Sequence, residues 1–363
     1  MINLINKLPA LTVIFVLLCS IQVQAGGVTP ELKSELKNKT TKPISITKNG
    51  NKVSSTDQIL KNPNTSQEQP EAVDQNQNQI PIQTPPIVLD PAPQPSTFLC
   101  VHAGVDTNFD LAIPIFRDLN LSTIRLWVDF DWNDRQVPWQ VQQATKLKQA
   151  GFRTIVVFNQ ARIPTYDEVR NYFDWLQQQP GVLEAIDVWE ILNELNLDKY
   201  WQGNANQYVN LVLKPAWDSL NPSGEKVLGG SFTAWQNGRW GTTITAQYVA
   251  AGYLNYLDYA GLHPYTDTVE QMQTVISEAK LLYGQKPIIM SEWNFKQVED
   301  EGVWSNKLNQ VEPFVRQNVV TACHYRFIGF GSEGGWPGLV RFINGAYQPV
   351  STFYNLLKSW GNR

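Results

Sequence analysis

Eight short apolar runs recur between residue 97 and the end of the chain: TFLCVHAGV (97–105), STIRLWVDF (122–130), RTIVVFN (153–159), AIDVWEIL (185–192), KVLGGSF (226–232), LDYAGLH (257–263), KPIIMSEW (286–293) and VVTACHYRFIGF (319–330). Runs that are apolar at consecutive positions, without strict alternation, suit strands buried on both faces. Between them the spacing turns helical, most clearly at Val269, Met272, Val275, Ile276, Ala279 and Leu282, which share one face and stop at Gly284. Further helices are predicted over 109–118, 139–150, 166–178, 205–219, 244–255, 305–318 and 351–360. Strands that each lead into a helix require a parallel sheet covered on all sides, and closing that sheet on itself is the simplest solution. The fold class is therefore α/β, a single TIM (β/α)8 barrel over residues 97–363.

A doubly wound open sheet is the competing architecture. Its support is GFGSEG (329–334), which matches a dinucleotide-binding pattern and follows a strand. The next residues, GWPGLVRFING, do not read as a helix, and too little chain remains for a βαβ unit with its acidic ribose ligand. A surface loop is the better reading, and no cofactor is expected.

The first 96 residues are of another kind. Residues 1–25 carry Lys7, the apolar run LPALTVIFVLLC, and VQA ahead of Gly26, the three-part form of a signal peptide cleaved after Ala25. A lipid-anchored start at Cys19 is the alternative, set back by Leu18 where a small residue is expected. Either way a secreted, periplasmic or cell-surface location is expected. Residues 26–96 contain no Phe, Tyr or Trp and are rich in Lys, Thr, Asn, Gln and Pro, too polar to offset the entropy of ordering. They read as a disordered linker, extended in its proline-rich half. All 13 Trp and all 13 Tyr lie beyond it. A net charge of −4 offers no basic patch for nucleic acid. Nothing after the leader reads as membrane-spanning, and a monomer is expected.

In a barrel of this type chemistry sits at the carboxyl ends of the strands. Asn193 and Glu194 end the fourth predicted strand, and Glu292 ends the seventh. Two carboxyl groups about 5 to 5.5 Å apart are what retaining glycoside hydrolysis needs, one to attack the anomeric carbon and one to protonate the leaving oxygen.

At these positions the chain resembles the clan A glycoside hydrolases, retaining barrel enzymes with catalytic glutamates on strands four and seven, cellulases and xylosidases among them. The resemblance covers roughly residues 97–363. Asn-Glu after VWEIL is similar to the family's acid/base motif, which implies Glu194 as general acid/base and Asn193 as donor to the sugar 2-hydroxyl. KPIIMSEW resembles the nucleophile strand, which makes Glu292 the nucleophile. LHPY is similar to the His-x-Tyr pattern, implying that Tyr265 bonds the nucleophile and His263 helps form the sugar subsite. Arg125 resembles the arginine that holds the nucleophile ionised, and Trp336 stands where many members carry a tryptophan platform. Leu195 and Asn294 depart from the Pro and Gly of many relatives, which bears on substrate more than on chemistry.

Other residues admit two readings. Glu190 shares strand parity with Glu194 and points inward one layer lower, either as a charge that orients the site or, the reading we favour, as half of a buried structural ion pair. Trp201, Trp235, Trp293, Trp304 and Trp336 fall on predicted loops and are either sugar platforms or packing, with Trp336 and then Trp235 preferred as platforms. His102 either reaches a subsite or is structural. The three histidines, His102, His263 and His324, form no metal-ligand spacing, so no metal is expected. Cys100 and Cys323 lie on neighbouring strands where the barrel closes, and buried free thiols are expected because adjacent parallel strands seldom offer disulfide geometry. The expected function is an exported retaining glycosidase acting on a β-linked oligo- or polysaccharide. The alternatives are a carbohydrate-binding or cell-surface barrel without catalysis, and a transglycosylase using the same residues.

Overall fold

The computed structural model describes residues 98–234, 242–296, 300–329 and 338–362. The proposed leader and linker, Trp235, Trp336 and most of GFGSEG lie outside these residues. The chain divides into two units at Thr84–Pro85, and all the described residues belong to the second.

Element order in that unit follows the sequence pattern. Strands are β1 (Leu99–Ala103), β2 (Thr123–Asp129), β3 (Arg153–Asn159), β4 (Val188–Ile191), β5 (Val227–Gly229), β6 (Ala260–Gly261), β7 (Tyr265–Thr266), β8 (Ile288–Phe295) and β9 (Thr321–His324), then a hairpin of β10 (Val340–Ile343) and β11 (Ala346–Pro349). Helices are α1 (Phe109–Asp118), α2 (Trp139–Gln149), α3 (Tyr166–Leu176), α4 (Val182–Ala185), α5 (Ala205–Tyr208), α6 (Lys214–Leu220), α7 (Thr242–Ala250), α8 (Val269–Tyr283), α9 (Glu301–Asn318) and α10 (Ser351–Gly361). A π-helical stretch, Val209–Leu213, joins α5 to α6, so the predicted helix over 205–219 is one rod with a local change of pitch. Four of these elements are absent from the sequence reading: α4 is a single turn, β7 is a two-residue extension after the sixth run, and β10 and β11 form a hairpin in a stretch read only as not helical. The hairpin turns at Asn344 and Gly345, both with positive φ (52° and 79°). An Asn-Gly pair favours this type of turn.

The strands pair in parallel in the order β5-β4-β3-β2-β1-β9-β8-β6, with β7 added on β8. The two ends of this path meet: Leu228 bridges Tyr259, Thr233 bridges His263, and the His263 amide donates to the Phe232 carbonyl at 3.0 Å. The sheet thus curls until its edges touch, an arrangement consistent with an α/β barrel. Helices pack outside it, and most of the core lies between the two, from Phe116 and Leu147 through Phe173 and Val212 to Leu308 and Leu357. No helix among the described residues is long and apolar enough to cross a membrane.

A second, smaller apolar cluster consists of Cys100, Ile155, Val188, Leu228, Ile289 and Cys323, one residue from each of six strands. It fills the inside of the curl. Here one expectation is corrected: Cys100 and Cys323 are bonded to each other, not free thiols. They stand directly opposite in the β1–β9 register with Cα atoms 4.0 Å apart, and both side chains belong to the same inner cluster. Strand adjacency was the reason to expect no bond. The in-register placement, with both side chains turned inward, is what allows one.

Candidate active site

Two residues further along the strands, the inside of the curl changes from apolar to polar. His102 and Arg125 follow on β1 and β2, Glu190 on β4, and Ser291 on β8, all buried. This is the period of two expected of strands, which returns side chains to the same face. Arg125 is the hub. Its Nε donates to Glu190 Oε2 at 2.6 Å, Nη1 donates to Glu292 Oε1 at 2.5 Å and lies 2.9 Å from His102 Nδ1, and Nη2 donates to Asn193 Oδ1 at 3.0 Å. Burial alone lowers the affinity of such a group for its proton, but Glu190 and Glu292 outweigh it and hold Arg125 above its ordinary value. Glu190 is thus the buried ion pair expected from its parity, and its partner is the arginine that also binds Glu292.

Both glutamates owe their aim to local departures from regular strand. After β4, Leu192 takes φ 63°, the left-handed region that a branched side chain seldom adopts, and the chain bends so that Asn193 and Glu194 turn inward. The bend is held by Leu192 N on the Phe158 carbonyl (3.0 Å), Leu195 N on the Ser231 carbonyl (3.0 Å) and the Tyr208 hydroxyl on the Ile191 carbonyl (2.7 Å). In β8 the pairing with β9 slips by one residue between Met290 and Trp293. Such a bulge suspends the alternation, so the consecutive residues Ser291 and Glu292 both reach the site. Asn294, one of the departures noted above, accepts from the Trp304 indole N–H (2.8 Å) and donates to the Tyr325 carbonyl (2.6 Å), tying the end of β8 to the next segment.

Glu292 is bound at both oxygens, Oε1 by Arg125 and Oε2 by the Tyr265 hydroxyl. Burial, then Glu292 and Glu194, push the Tyr265 hydroxyl well above its ordinary value, so it remains a donor. Glu194 Oε1 lies 3.3 Å from His263 Nδ1, and His263 Nε2 lies 2.9 Å from Ser291 Oγ. Ligand atoms of Glu194, His263 and Glu292 all fall within 4.8 Å of one another. The nearest oxygens of the two carboxyl groups thus lie within 4.8 Å, nearer to the about 5 to 5.5 Å spacing of a double-displacement pair than to the roughly 6.5–9.5 Å of an inverting one. Among the described residues this trio is also the one cluster whose donor types and spacing suit a metal ion. Arg125 and Tyr265 already satisfy Glu292 without one.

Glu194 and Glu292 line a cavity of about 160 Å³ with Leu197, Lys199, Tyr200, Tyr265 and Tyr325. A second cavity of about 360 Å³ shares Glu292, Tyr200 and Tyr325 and continues along His102, Trp127, Asp129 and an Asp106–Arg326 ion pair (2.6 Å). The carboxyl pair thus sits on the floor of a cleft that runs past it. Tyr200 packs edge-on to Trp127 (5.6 Å between centroids) and Tyr325 stacks on His102 (5.3 Å). Burial, then the charge on Glu292, raises the Tyr325 hydroxyl to about 12. Burial, then Arg125, holds His102 well below its ordinary value, and a neutral ring accepting from Arg125 at Nδ1 carries its proton on Nε2.

The structure brings Arg125, Asn193, Glu194, His263, Tyr265 and Glu292 together and places His102 beside them, against Arg125 and in the wall of the larger cavity. It decides three of the tryptophans that admitted two readings in favour of packing. Trp201, Trp293 and Trp304 are at most 2% exposed and pack into the core, Trp293 against Trp360 and Trp304 against Phe353. The aromatic walls are instead Tyr200, Tyr325 and Trp127. Tyr200 adjoins Trp201 on the same loop, so the loop was legible and the choice of side chain was not. Trp235 and Trp336 lie outside the described residues.

No family model matches the chain, and no match is found among curated proteins. Solved structures do match. A subgroup II endo-β-1,3-glucanase of family GH128 from Sorangium cellulosum aligns with TM-score 0.52 at 12% identity, over 71% of this chain and 97% of that one. A family GH30 subfamily 8 xylanase from Clostridium acetobutylicum aligns with TM-score 0.52 at 13% identity, over 74% of this chain and 72% of that one. A subgroup IV GH128 endo-β-1,3-glucanase from Lentinula edodes aligns with TM-score 0.50 at 15% identity, over 72% and 99%. At these identities the likeness is one of fold, and it is to glycoside hydrolases, the class that the motifs resemble.

Proposed function

We propose that this protein is a retaining glycoside hydrolase, built on a closed (β/α)8 barrel, that cleaves a β-linked oligo- or polysaccharide by double displacement. The observation that carries the reading is the pair of buried carboxyl groups within 4.8 Å, one bound by a guanidinium and a phenol and the other set against an imidazole. In the first step Glu292 attacks the anomeric carbon while Glu194 gives its proton to the departing oxygen. In the second, Glu194 takes a proton from water, whose oxygen displaces Glu292 and restores it. Arg125 and Tyr265 stabilise the charge on Glu292. Asn193 has its Oδ1 engaged by Arg125, which leaves the Nδ2 end to donate to a sugar hydroxyl. Tyr200, Tyr325 and Trp127 offer flat faces for sugar rings on either side of the scissile bond.

The structures of like fold act on β-1,3-glucan and xylan, so these polymers head the test panel, followed by mannan and aryl β-glycosides. The full chain is incubated with each, with Glu292→Ala as control, and the configuration of the released sugar is followed by NMR. Product of retained configuration from the wild type alone supports the reading. Inverted product sinks the double displacement, and binding without product moves the assignment to a non-catalytic carbohydrate-binding barrel. Export with cleavage after Ala25 belongs to the same proposal, and the N-terminal residue of the mature protein tests it.

A further inference from the structure

Glu190 touches neither cavity, yet hydrogen-bonded contacts lead from it to both members of the carboxyl pair. Its Oε2 binds Arg125, which binds Glu292. Its Oε1 lies 2.7 Å from Ser291 Oγ and 3.2 Å from Ser231 Oγ, Ser291 Oγ lies 2.9 Å from His263 Nε2, and His263 Nδ1 lies 3.3 Å from Glu194 Oε1. The second path has a direction. A carboxylate engaged by a guanidinium only accepts, so the 2.7 Å contact needs the Ser291 proton between the two oxygens. A serine hydroxyl has one proton. With it committed to Glu190, Ser291 Oγ must accept at its other contact, and the donor there is His263 Nε2–H. Ser231, 2.9 Å from Ser291, has its own proton for Glu190 or for the second lone pair of Ser291, and neither choice reverses the chain. A neutral His263 protonated at Nε2 presents a bare Nδ1 to Glu194, and their contact is a hydrogen bond only when Glu194 supplies the proton.

We propose that Glu190 is a positioning residue for the general acid: acting through Ser291, it fixes His263 as the Nε2–H tautomer, so that the site favours the proton-bearing form of Glu194 that the first step consumes. The inference rests on the glycosidase reading for its consequence but not for its observable. Glu190 then has two tasks, balancing the charge of Arg125 on one oxygen and setting the polarity of a hydrogen-bond chain on the other. A carboxylate serves both because both neighbours, a guanidinium N–H and a serine hydroxyl, must donate to it.

The tautomer is read directly by 15N NMR of the full chain labelled at histidine, which is tractable with three histidines and assigned by the signal lost in His263→Gln. Two variants separate the arms. Ser291→Ala leaves the Arg125–Glu190 pair intact and removes the relay. Glu190→Gln is near-isosteric and gives Ser291 an N–H to accept from, which frees its proton for His263 Nε2. In the wild type Nε2 is expected to be protonated and Nδ1 bare, and in both variants the proton is expected to move, wholly or in exchange, to Nδ1. In kinetics Ser291→Ala is expected to lose about ten- to a hundredfold on saccharides with poor leaving groups, a part of the usual general-acid contribution. It is expected to lose less than about threefold on a dinitrophenyl glycoside, whose leaving group needs no proton. A wild-type His263 protonated at Nδ1, a tautomer unmoved in both variants, or equal losses on the two substrates would each overturn the proposal. A wild type that hydrolyses nothing defeats the glycosidase reading instead, and the tautomer result still decides the relay. Thermal unfolding of each variant shows whether it is folded, and Ser291→Ala, which removes one hydroxyl, keeps the question open to test if Glu190→Gln does not fold.

Discussion

The inside of the curled sheet holds two layers, two residues apart along β1, β4 and β8. The lower one, Cys100, Ile155, Val188, Leu228, Ile289 and Cys323, is apolar and closed by a disulfide. The upper one, His102, Arg125, Glu190 and Ser291, is polar and almost wholly hydrogen-bonded. Both are fully or nearly fully buried, so burial does not distinguish them. The lower layer tolerates exchange of one apolar shape for another within about a kilocalorie or two. The upper layer does not, because each of its groups has been taken out of water and is compensated only by a particular neighbour. The apolar layer fixes the curled sheet on which the polar layer is registered, and only the polar layer meets the cleft.

Several substitutions would break this division. The largest effect is expected at the top of the polar layer: Glu292→Ala and Glu194→Ala should each lower kcat on a natural saccharide by a factor on the order of 10⁴ or more, and thermal unfolding checks that each variant is folded, since Glu292→Ala also removes one of the two carboxylates paired with Arg125. Retained activity in either variant removes the role assigned to that residue. In the apolar layer the expected effect is on stability alone. The Cys100–Cys323 bond links residues 223 apart in sequence, and loop-closure entropy for a loop of that length puts its contribution at about 5 kcal/mol. Paired Cys100→Ser and Cys323→Ser substitutions, followed by denaturant unfolding, measure it. A midpoint unchanged from the oxidised wild type means that the bond does not form. Arg125 tests whether the polar layer matters to folding as well. Arg125→Met strands Glu190 without its cation and is expected to cost about 3–5 kcal/mol, whereas the double variant Arg125→Met, Glu190→Leu should recover much of that stability and none of the activity. If the double variant is no more stable than the single one, the cost does not come from an uncompensated charge.

How much of this could be read from the sequence follows from how local each determinant is. Helices α1 and α8 begin and end where the sequence pattern placed them, because an amphipathic stripe, a capping residue such as Asn108 or Thr268 and a stop at Gly284 are local signals. Arg125, Asn193, Glu194, His263, Tyr265 and Glu292 were legible because polar residues at the ends of apolar strands have few other reasons to be there. Ser231 and Ser291 were not, since a serine in a strand attracts no notice until its two neighbours are known. Nor were the Leu192 bend and the β8 bulge, which depend on contacts between strands far apart in sequence. The disulfide was missed because adjacency was weighed without register, and a difference of one residue in register decides whether two side chains share a face.

Two buried histidines carry the contrast between wired and unwired groups to its smallest expected effect. His263 has polar partners at both nitrogens. His324, 1% exposed at the end of β9, has none at either nitrogen among the described residues and lies among Trp293, Trp304 and Phe353, with ring centroids 6.3, 5.7 and 4.3 Å away. Burial lowers its pKa to about 3. An unfolded chain takes up that proton near pH 6.5, so between pH 6.5 and 3 the unfolded state binds more protons than the folded one. The stability associated with the neutral ring is therefore complete above about pH 6.5 and is lost as the pH falls towards 3, at about 1.4 kcal/mol per unit. His102, also held low, adds to the loss with the same sign. Replacing His324 by Leu should flatten the acid side of the stability curve by about 2–3 kcal/mol between pH 6.5 and 4.5, measured by denaturant unfolding at each pH. An unchanged slope in His324→Leu would mean that the aromatic cage admits water or a partner for the ring, and that this histidine is no less compensated than those of the polar layer.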